Sequence, residues 1–241
     1  MPTGRVLVIN PNTTAAVTDM LARHTRAALP HAEVSTVTAP FGAHYISSEA
    51  AYTVAAHAVL DAWAEAPPAH AVLIGCFGDP GLHALREVCP AHVVGLATAS
   101  MSEAAARGRF AIITGGQRWQ AMLERLAATE GHAGALAGIE ILPQSGLDLQ
   151  AGGETAIAQL AEACLRARER WQADALILGG AALAGWGDVL ASRLGLPVID
   201  SVSAGVRAVA RLLGVPASVP PGSDGVAYSG ISTALAHRLA R

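Results

Sequence analysis

Ala71-Val72-Leu73-Ile74-Gly75-Cys76-Phe77-Gly78-Asp79-Pro80-Gly81 decides the fold. Four consecutive apolar residues without polar alternation read as a strand buried on both faces, as in a parallel sheet, and the run stops at a glycine. A cysteine follows at once. Asp79-Pro80 then opens a helical pattern running to about Cys89, with Asp79 as N-cap and Pro80 at the first helical position. This strand, turn and helix deliver a side chain to the carboxyl edge of a sheet, so Cys76 is expected in a crevice.

Working outward, the 241 residues are 52% hydrophobic, which suffices for a large core in one domain or in two of roughly 100 to 120 residues. Apolar runs of about five residues fall far short of the roughly 20 that span a bilayer, and no leader pattern opens the chain, which points to the cytoplasm. Three cysteines at spacings of 13 and 75 give neither a disulfide framework nor a zinc pairing, and the nine histidines show no metal-ligand spacing, so no metal is expected. A net charge of −3 without a basic run leaves no footprint for nucleic acid or an anionic membrane. The expected partner is a small molecule. Lysine is absent, which excludes pyridoxal phosphate enzymes, Schiff-base aldolases and lysine-bearing phosphate loops.

Upstream, Arg5-Val6-Leu7-Val8-Ile9 reads as a strand ending at Asn10-Pro11-Asn12-Thr13-Thr14, and Val17, Met20, Leu21, His24, Ala28 and Leu29 mark the helix that follows. Asn12 or Thr13 is its expected N-cap. The loop offers hydroxyls and free N–H groups at a helix start, suited either to an anion such as a carboxylate or simply to capping. Glu33 to Ala39 reads as a second strand. Pro40 to Ser48 forms a loop with His44, Tyr45 and Ser48 as candidates for substrate contact, while His57 and His70 read as surface histidines. Cys164 shares a helix face with Ile157, Leu160 and Trp171, and Cys89 precedes Pro90 at a helix end, so both read as core thiols. For Cys76 the helix dipole lowers the thiol pKa, while a dry pocket and the nearby Asp79 raise it; its protonation state stays open.

The pattern then starts again. Phe110-Ala111-Ile112-Ile113 repeats the first strand at an offset of 104 (113−9), Ala175-Leu176-Ile177-Leu178-Gly179-Gly180 repeats the Cys76 strand with Cys76 against Gly180 at 104 (180−76), and Val198-Ile199-Asp200 repeats Val93-Val94-Gly95 at 105 (198−93). This predicts an α/β fold of two similar halves, a pseudo-twofold repeat, each a mainly parallel sheet flanked by helices, with the active site in the cleft between them. The expected halves are 1–108 and 109–228, with a boundary near Arg107 to Arg109. A last helix over 229–241 packs back on the first half, and the Pro- and Gly-rich stretch from Gly214 to Gly225 connects it.

Ile9-Asn10-Pro11-Asn12-Thr13-Thr14, Gly75-Cys76-Phe77-Gly78-Asp79-Pro80-Gly81-Leu82, Arg109-Phe110-Ala111-Ile112-Ile113-Thr114 and Pro197-Val198-Ile199-Asp200 together resemble the Asp/Glu/hydantoin racemase superfamily, closest to its hydantoin and allantoin racemase branch. The resemblance implies a cofactor-independent, homo-oligomeric enzyme acting on a small carboxylate or cyclic imide. In it, two cysteines face opposite sides of a carbon next to a carbonyl; one removes a proton and the other returns one. Cys76 matches the first cysteine. Asn12, Thr13, Phe77, Gly78 and Thr114 match positions that bind the substrate's oxygen atoms, and Ser48 and Gly180 complete the candidate substrate-binding set.

The departure lies at Gly180, which occupies the second cysteine's position and carries no side chain. Thr98 also stands where relatives commonly carry an acid. Three expectations follow: racemisation with Cys76 on one face and a water or a residue such as His44 on the other; a one-cysteine decarboxylase or lyase; or a binding protein without chemistry. The second resembles arylmalonate decarboxylase, which keeps the opposite cysteine. The substrate is left open, because the loops 41–48, 144–153 and 180–187 carry no sharp motif. Trp186 is a candidate there for an aromatic wall or a core tryptophan.

Overall fold

The computed structural model describes residues 4–144, 148–149, 152–217, 220 and 225–240. They form two compact units. The first takes in the residues up to Gly75, Asp79–Gly95 and those from Arg207 onward; the second comprises Cys76–Gly78 and Leu96–Val206. The chain therefore changes unit on either side of Cys76–Gly78, at Gly95/Leu96 and at Val206/Arg207, whereas the pattern suggested a boundary near Arg107. At Gly95 the strand runs straight into the helix Leu96–Ala105, and Val206/Arg207 falls inside the helix Ser201–Leu212, so neither crossing has a linker for a pattern to register.

In the first unit, β1 (Arg5–Asn10), β2 (Glu33–Thr38), β3 (Ala71–Ile74) and β4 (His92–Gly95) form a sheet in the order β2-β1-β3-β4, parallel throughout. Helices α1 (Ala15–Ala28), α2 (Glu49–Glu65) and α3 (Leu82–Val88) connect them. All four residues of β3 are buried, as a central parallel strand requires. Leu7, Ile9, Val72 and Ile74 pack with Val59, Trp63, Leu82 and Leu85 beneath α2 and α3. Each such side chain contributes about 1.5–3 kcal/mol by leaving water.

The second unit repeats this plan. Its strands β5 (Phe110–Gly115), β6 (Leu136–Leu142), β7 (Ala175–Gly179) and β8 (Val198–Asp200) lie in the order β6-β5-β7-β8, again all parallel. Its helices are α4 (Leu96–Ala105), α5 (Trp119–Thr129), α6 (Gly153–Trp171), α7 (Trp186–Leu194) and the start of α8 (Ser201–Leu212). The registers carry the internal repeat: Ile9 pairs with Ile74 and Ile113 with Leu178, both 104 residues on, while Gly95 and Asp200 pair with Ile74 and Leu178 and differ by 105 (200−95). Gly81 and Gly185, again 104 apart (185−81), are the left-handed N-caps of α3 and α7, at φ 78° and 83°. Two positions requiring positive φ in the same register are a backbone signature of one plan used twice.

The edge strand β6 did not stand out in the sequence. Gly138 interrupts its apolar pattern because the Trp171 ring occupies the space a Cβ would need, and the register slips between Phe110 and Ala111. Downstream, α9 (Thr233–Leu239) lies against α2: Ser232 caps it by accepting the Leu235 N–H at 3.1 Å and donates to Asp61 at 2.8 Å, and the Arg238 guanidinium stacks 5.0 Å from the Trp63 ring centre. Parts of the 144–153 loop and of the Gly214 to Gly225 connection lie outside the described residues. No helix among the described residues is long and apolar enough to cross a membrane.

Candidate active site

In a sheet ordered 2-1-3-4 the connections leave the two central strands in opposite directions, opening a crevice at their carboxyl ends. In the first unit that point lies between β1, which runs into Asn10-Pro11-Asn12-Thr13-Thr14, and β3, which runs through Gly75 into Cys76. In the second it lies between Thr114 on β5 and Gly179-Gly180 at the end of β7.

The loop after β1 is organised by Asn10, a residue the sequence reading passed over. Its fully buried side chain donates to Asn12 Oδ1 (3.1 Å), the Thr14 carbonyl (3.1 Å) and Thr18 Oγ1 (3.0 Å), and accepts the Asn12 N–H (3.1 Å). An asparagine closing an otherwise apolar buried strand was the available signal. Asn12 Oδ1 also accepts the Thr14 N–H at 2.9 Å. Two donors thus fix the orientation of its amide and occupy its oxygen.

Two expectations change here. Thr14, not Asn12 or Thr13, is the N-cap of α1; its side chain makes no capping bond, and Thr14 Oγ1 donates instead to the His44 carbonyl at 2.8 Å. Nor is the loop a cradle of free N–H groups: those of Asn12 and Thr14 are taken within the loop, and that of Thr13 goes to the Ala43 carbonyl at 3.1 Å. What it offers is side chains, namely the Asn12 amide and Thr13 Oγ1, the latter 2.8 Å from His44 Nδ1. Ser48 is the N-cap of α2, accepting the Ala51 N–H at 3.2 Å, so its oxygen already serves the fold.

Cys76, Phe77 and Gly78 pack as part of the second unit. The Phe77 ring is buried directly against Gly179, where a Cβ would collide with it, and the Trp119 ring covers Gly78, whose φ is +152°. These two fixings hold the segment that carries the half-buried Cys76. Beside them, Thr114 Oγ1 donates to the Gly179 carbonyl at 2.8 Å. With its hydrogen engaged there, Thr114 Oγ1 keeps its lone pairs. Gly180 donates its N–H to Ser201 Oγ at 3.3 Å, and a Cβ there would meet nothing within 4 Å. Its backbone, at φ 136° and ψ 134°, is one that L-residues rarely adopt, whereas Cys76, its counterpart, is not at positive φ. The difference between the two positions extends to the main chain.

The other thiols behave as core. Burial pushes the Cys164 thiol up to about 12 and, as the largest of several influences, raises that of Cys89 as well. Both stay protonated and inert near neutral pH. Trp186 packs against the same core cluster as Cys164. His57 is not a surface group, since its Nε2 is buried without a partner and its ring stands edge-on to Phe41 at 5.1 Å.

Asp79 does not cap α3, which starts at Leu82 behind Gly81. It sits at φ 54°, buried, with its carboxylate against the Cα face of Gly95. In the second unit Asp200, in the Gly95 position, packs against Gly187 and accepts the Ser203 N–H at 2.9 Å. Ser100 spends its hydroxyl on the Leu96 carbonyl at 2.6 Å, one turn back in the α4 helix that also carries Thr98. No three His, Cys, Asp or Glu side chains cluster for a metal ion among the described residues.

The chain is thus an α/β protein of twin parallel units, with a half-buried thiol just past a central strand and two buried ones elsewhere. The chain belongs to the Asp/Glu/hydantoin racemase family, whose model matches residues 6–209. It is 35% identical over 207 residues to a hydantoin racemase of Pseudomonas sp. (strain NS671), covering 84% of this chain and 83% of that one. Among solved structures it resembles an allantoin racemase from Klebsiella pneumoniae, with a TM-score of 0.87, 30% identity and coverage of 96% and 98%. Unliganded arylmalonate decarboxylase shares the fold at a TM-score of 0.60 and 23% identity, over 92% and 96% of the two chains.

Proposed function

We propose that this chain moves a proton at the carbon next to a carbonyl of a small cyclic amide or imide of the hydantoin type, with Cys76 as acid and base on one face of that carbon. The observation that carries this is the contrast among its thiols. Cys76 alone is accessible, at the carboxyl edge beyond β3, while burial holds the other two protonated. The likeness to the hydantoin and allantoin racemases supports the substrate class. The Cys76 thiolate takes the proton and leaves an enolate; separately, the family likeness supports Asn12 and Thr13 of the β1 loop as contacts for the substrate's polar atoms. On the opposite face the empty space above Gly180 admits water, which returns a proton in place of the second thiol. No cofactor enters this scheme.

The absent side chain at Gly180 favours a second reading, a one-base decarboxylase in which loss of carbon dioxide generates the enediolate and Cys76 protonates it. Proton NMR in deuterated water separates the two, using enantiopure 5-substituted hydantoins and disubstituted malonates with Cys76→Ala as control. Loss of the α-proton together with loss of optical rotation, abolished in the variant, is the expected result. Deuterium entering only after carbon dioxide leaves a malonate would establish the decarboxylase. Exchange with full retention of configuration would sink racemisation for that substrate.

A further inference from the structure

We infer that His44 is a positioning residue that sets the polarity of the Thr13 hydroxyl and, through it, the preference for an amide edge over a carboxylate; this rests on the reading of the β1 loop as a substrate contact. A hydroxyl has one hydrogen and two lone pairs. Thr13 Oγ1 lies 2.8 Å from His44 Nδ1. When the imidazole is neutral with its hydrogen on Nε2, Nδ1 accepts the Thr13 hydrogen, and Thr13 turns lone pairs alone toward a ligand. Next to it in sequence, Asn12 can only donate, because Asn10 and Thr14 hold its Oδ1. A donor followed by an acceptor matches the C=O and N–H of an amide or imide; a carboxylate, which has only acceptors, leaves Thr13 facing lone pair to lone pair. Without His44, the Thr13 hydrogen is released and that discrimination disappears.

The loop's architecture isolates this role. The bonds that tie the β1 loop to the β2 loop run to the main-chain carbonyls of Ala43 and His44, so removing the imidazole leaves them in place. The test is steady-state kinetics of the full-length chain on 5-benzylhydantoin, with His44→Ala, Thr13→Val and the double variant. His44→Ala is expected to lower the inhibition constant of a disubstituted malonate about 10-fold, with kcat on the hydantoin nearly unchanged and its KM raised only slightly, since the released hydroxyl keeps its lone pairs. The double variant should be no worse than Thr13→Val alone, since His44 acts through Thr13. Multiplying effects, or equal losses for hydantoin and malonate, would overturn the inference. A wild-type chain inert toward hydantoins would instead sink the substrate reading. The His44 ring-nitrogen NMR shifts then decide the pair: a shift of Nδ1 in Thr13→Val supports it, and no change refutes it.

Discussion

Thr114 Oγ1 donates to the Gly179 carbonyl at 2.8 Å, so the central strands of the second sheet are fastened at their carboxyl ends by a side chain as well as by the ladder. Thr114 is buried, and no solvent replaces the bond if it is removed. Thr114→Val keeps the shape and deletes the donor, at an expected cost of about 1–2 kcal/mol. Urea unfolding should show a lower midpoint with an unchanged slope, and Thr114→Ser should recover most of the loss. A valine variant as stable as the wild type would mean that the bond contributes nothing net.

The neighbouring glycine tests how Cys76 is held. A Cβ at Gly179 would lie 2.6 Å from Phe77 Cδ1 and 2.9 Å from Cζ, so Gly179→Ala must displace a buried ring bonded next to the thiol. Overpacking of this kind costs roughly 1–3 kcal/mol. Turnover should fall more than the folded fraction does, and Phe77→Leu in the same chain should restore part of both. If activity merely followed the folded fraction, Phe77 would not be what positions Cys76.

Gly180 poses the opposite case. Its Cβ direction is empty, yet its φ of 136° disfavours any L-residue. Gly180→Ala and Gly180→Cys should therefore lose similar stability, about 1–3 kcal/mol each, because the cost is conformational and not steric. Matching thermal unfolding shifts would bear this out. A cysteine variant markedly less stable than the alanine one would show that side-chain packing, and not the backbone, governs the position.

The strands around Cys76 were legible because continuous apolar runs ending at glycine have few other readings, and the 104-residue offset recurs in the observed registers. The edge strand β6 was hidden by Gly138, a residue chosen by the Trp171 ring far away in sequence. Asp79-Pro80 resembled a cap, but the positive φ at Gly81 moved the start of α3 and freed the Asp79 carboxylate to pack on Gly95. The hydroxyl-rich β1 loop suggested free N–H groups, and only coordinates show them consumed by Asn10, Asn12 and Ala43. Local pattern reveals which groups a loop owns; which of them are already paired depends on how the Asn10 and Asn12 side chains turn back on the loop and, for Thr13, on a carbonyl of a distant loop.

Alkylation separates the three thiols directly. Iodoacetamide at pH 8 should add one label to the native chain, at Cys76, and three after denaturation, since burial keeps Cys89 and Cys164 as inaccessible thiols. The same burial predicts an alkaline trend. The Cys164 pKa rises from 9.0 to about 12 on folding, so its contribution to stability is complete below pH 9 and is lost as pH climbs toward 12, at up to about 1.4 kcal/mol per pH unit. Cys164→Ala leaves a small cavity and starts from lower stability, but its unfolding free energy should fall less steeply over that window. Denaturant titrations at pH 8, 9 and 10 on both proteins measure the difference. Parallel curves would mean that Cys164 does not ionise on unfolding there, and native labelling at Cys89 or Cys164 would show that the core around that thiol opens more readily than its packing indicates.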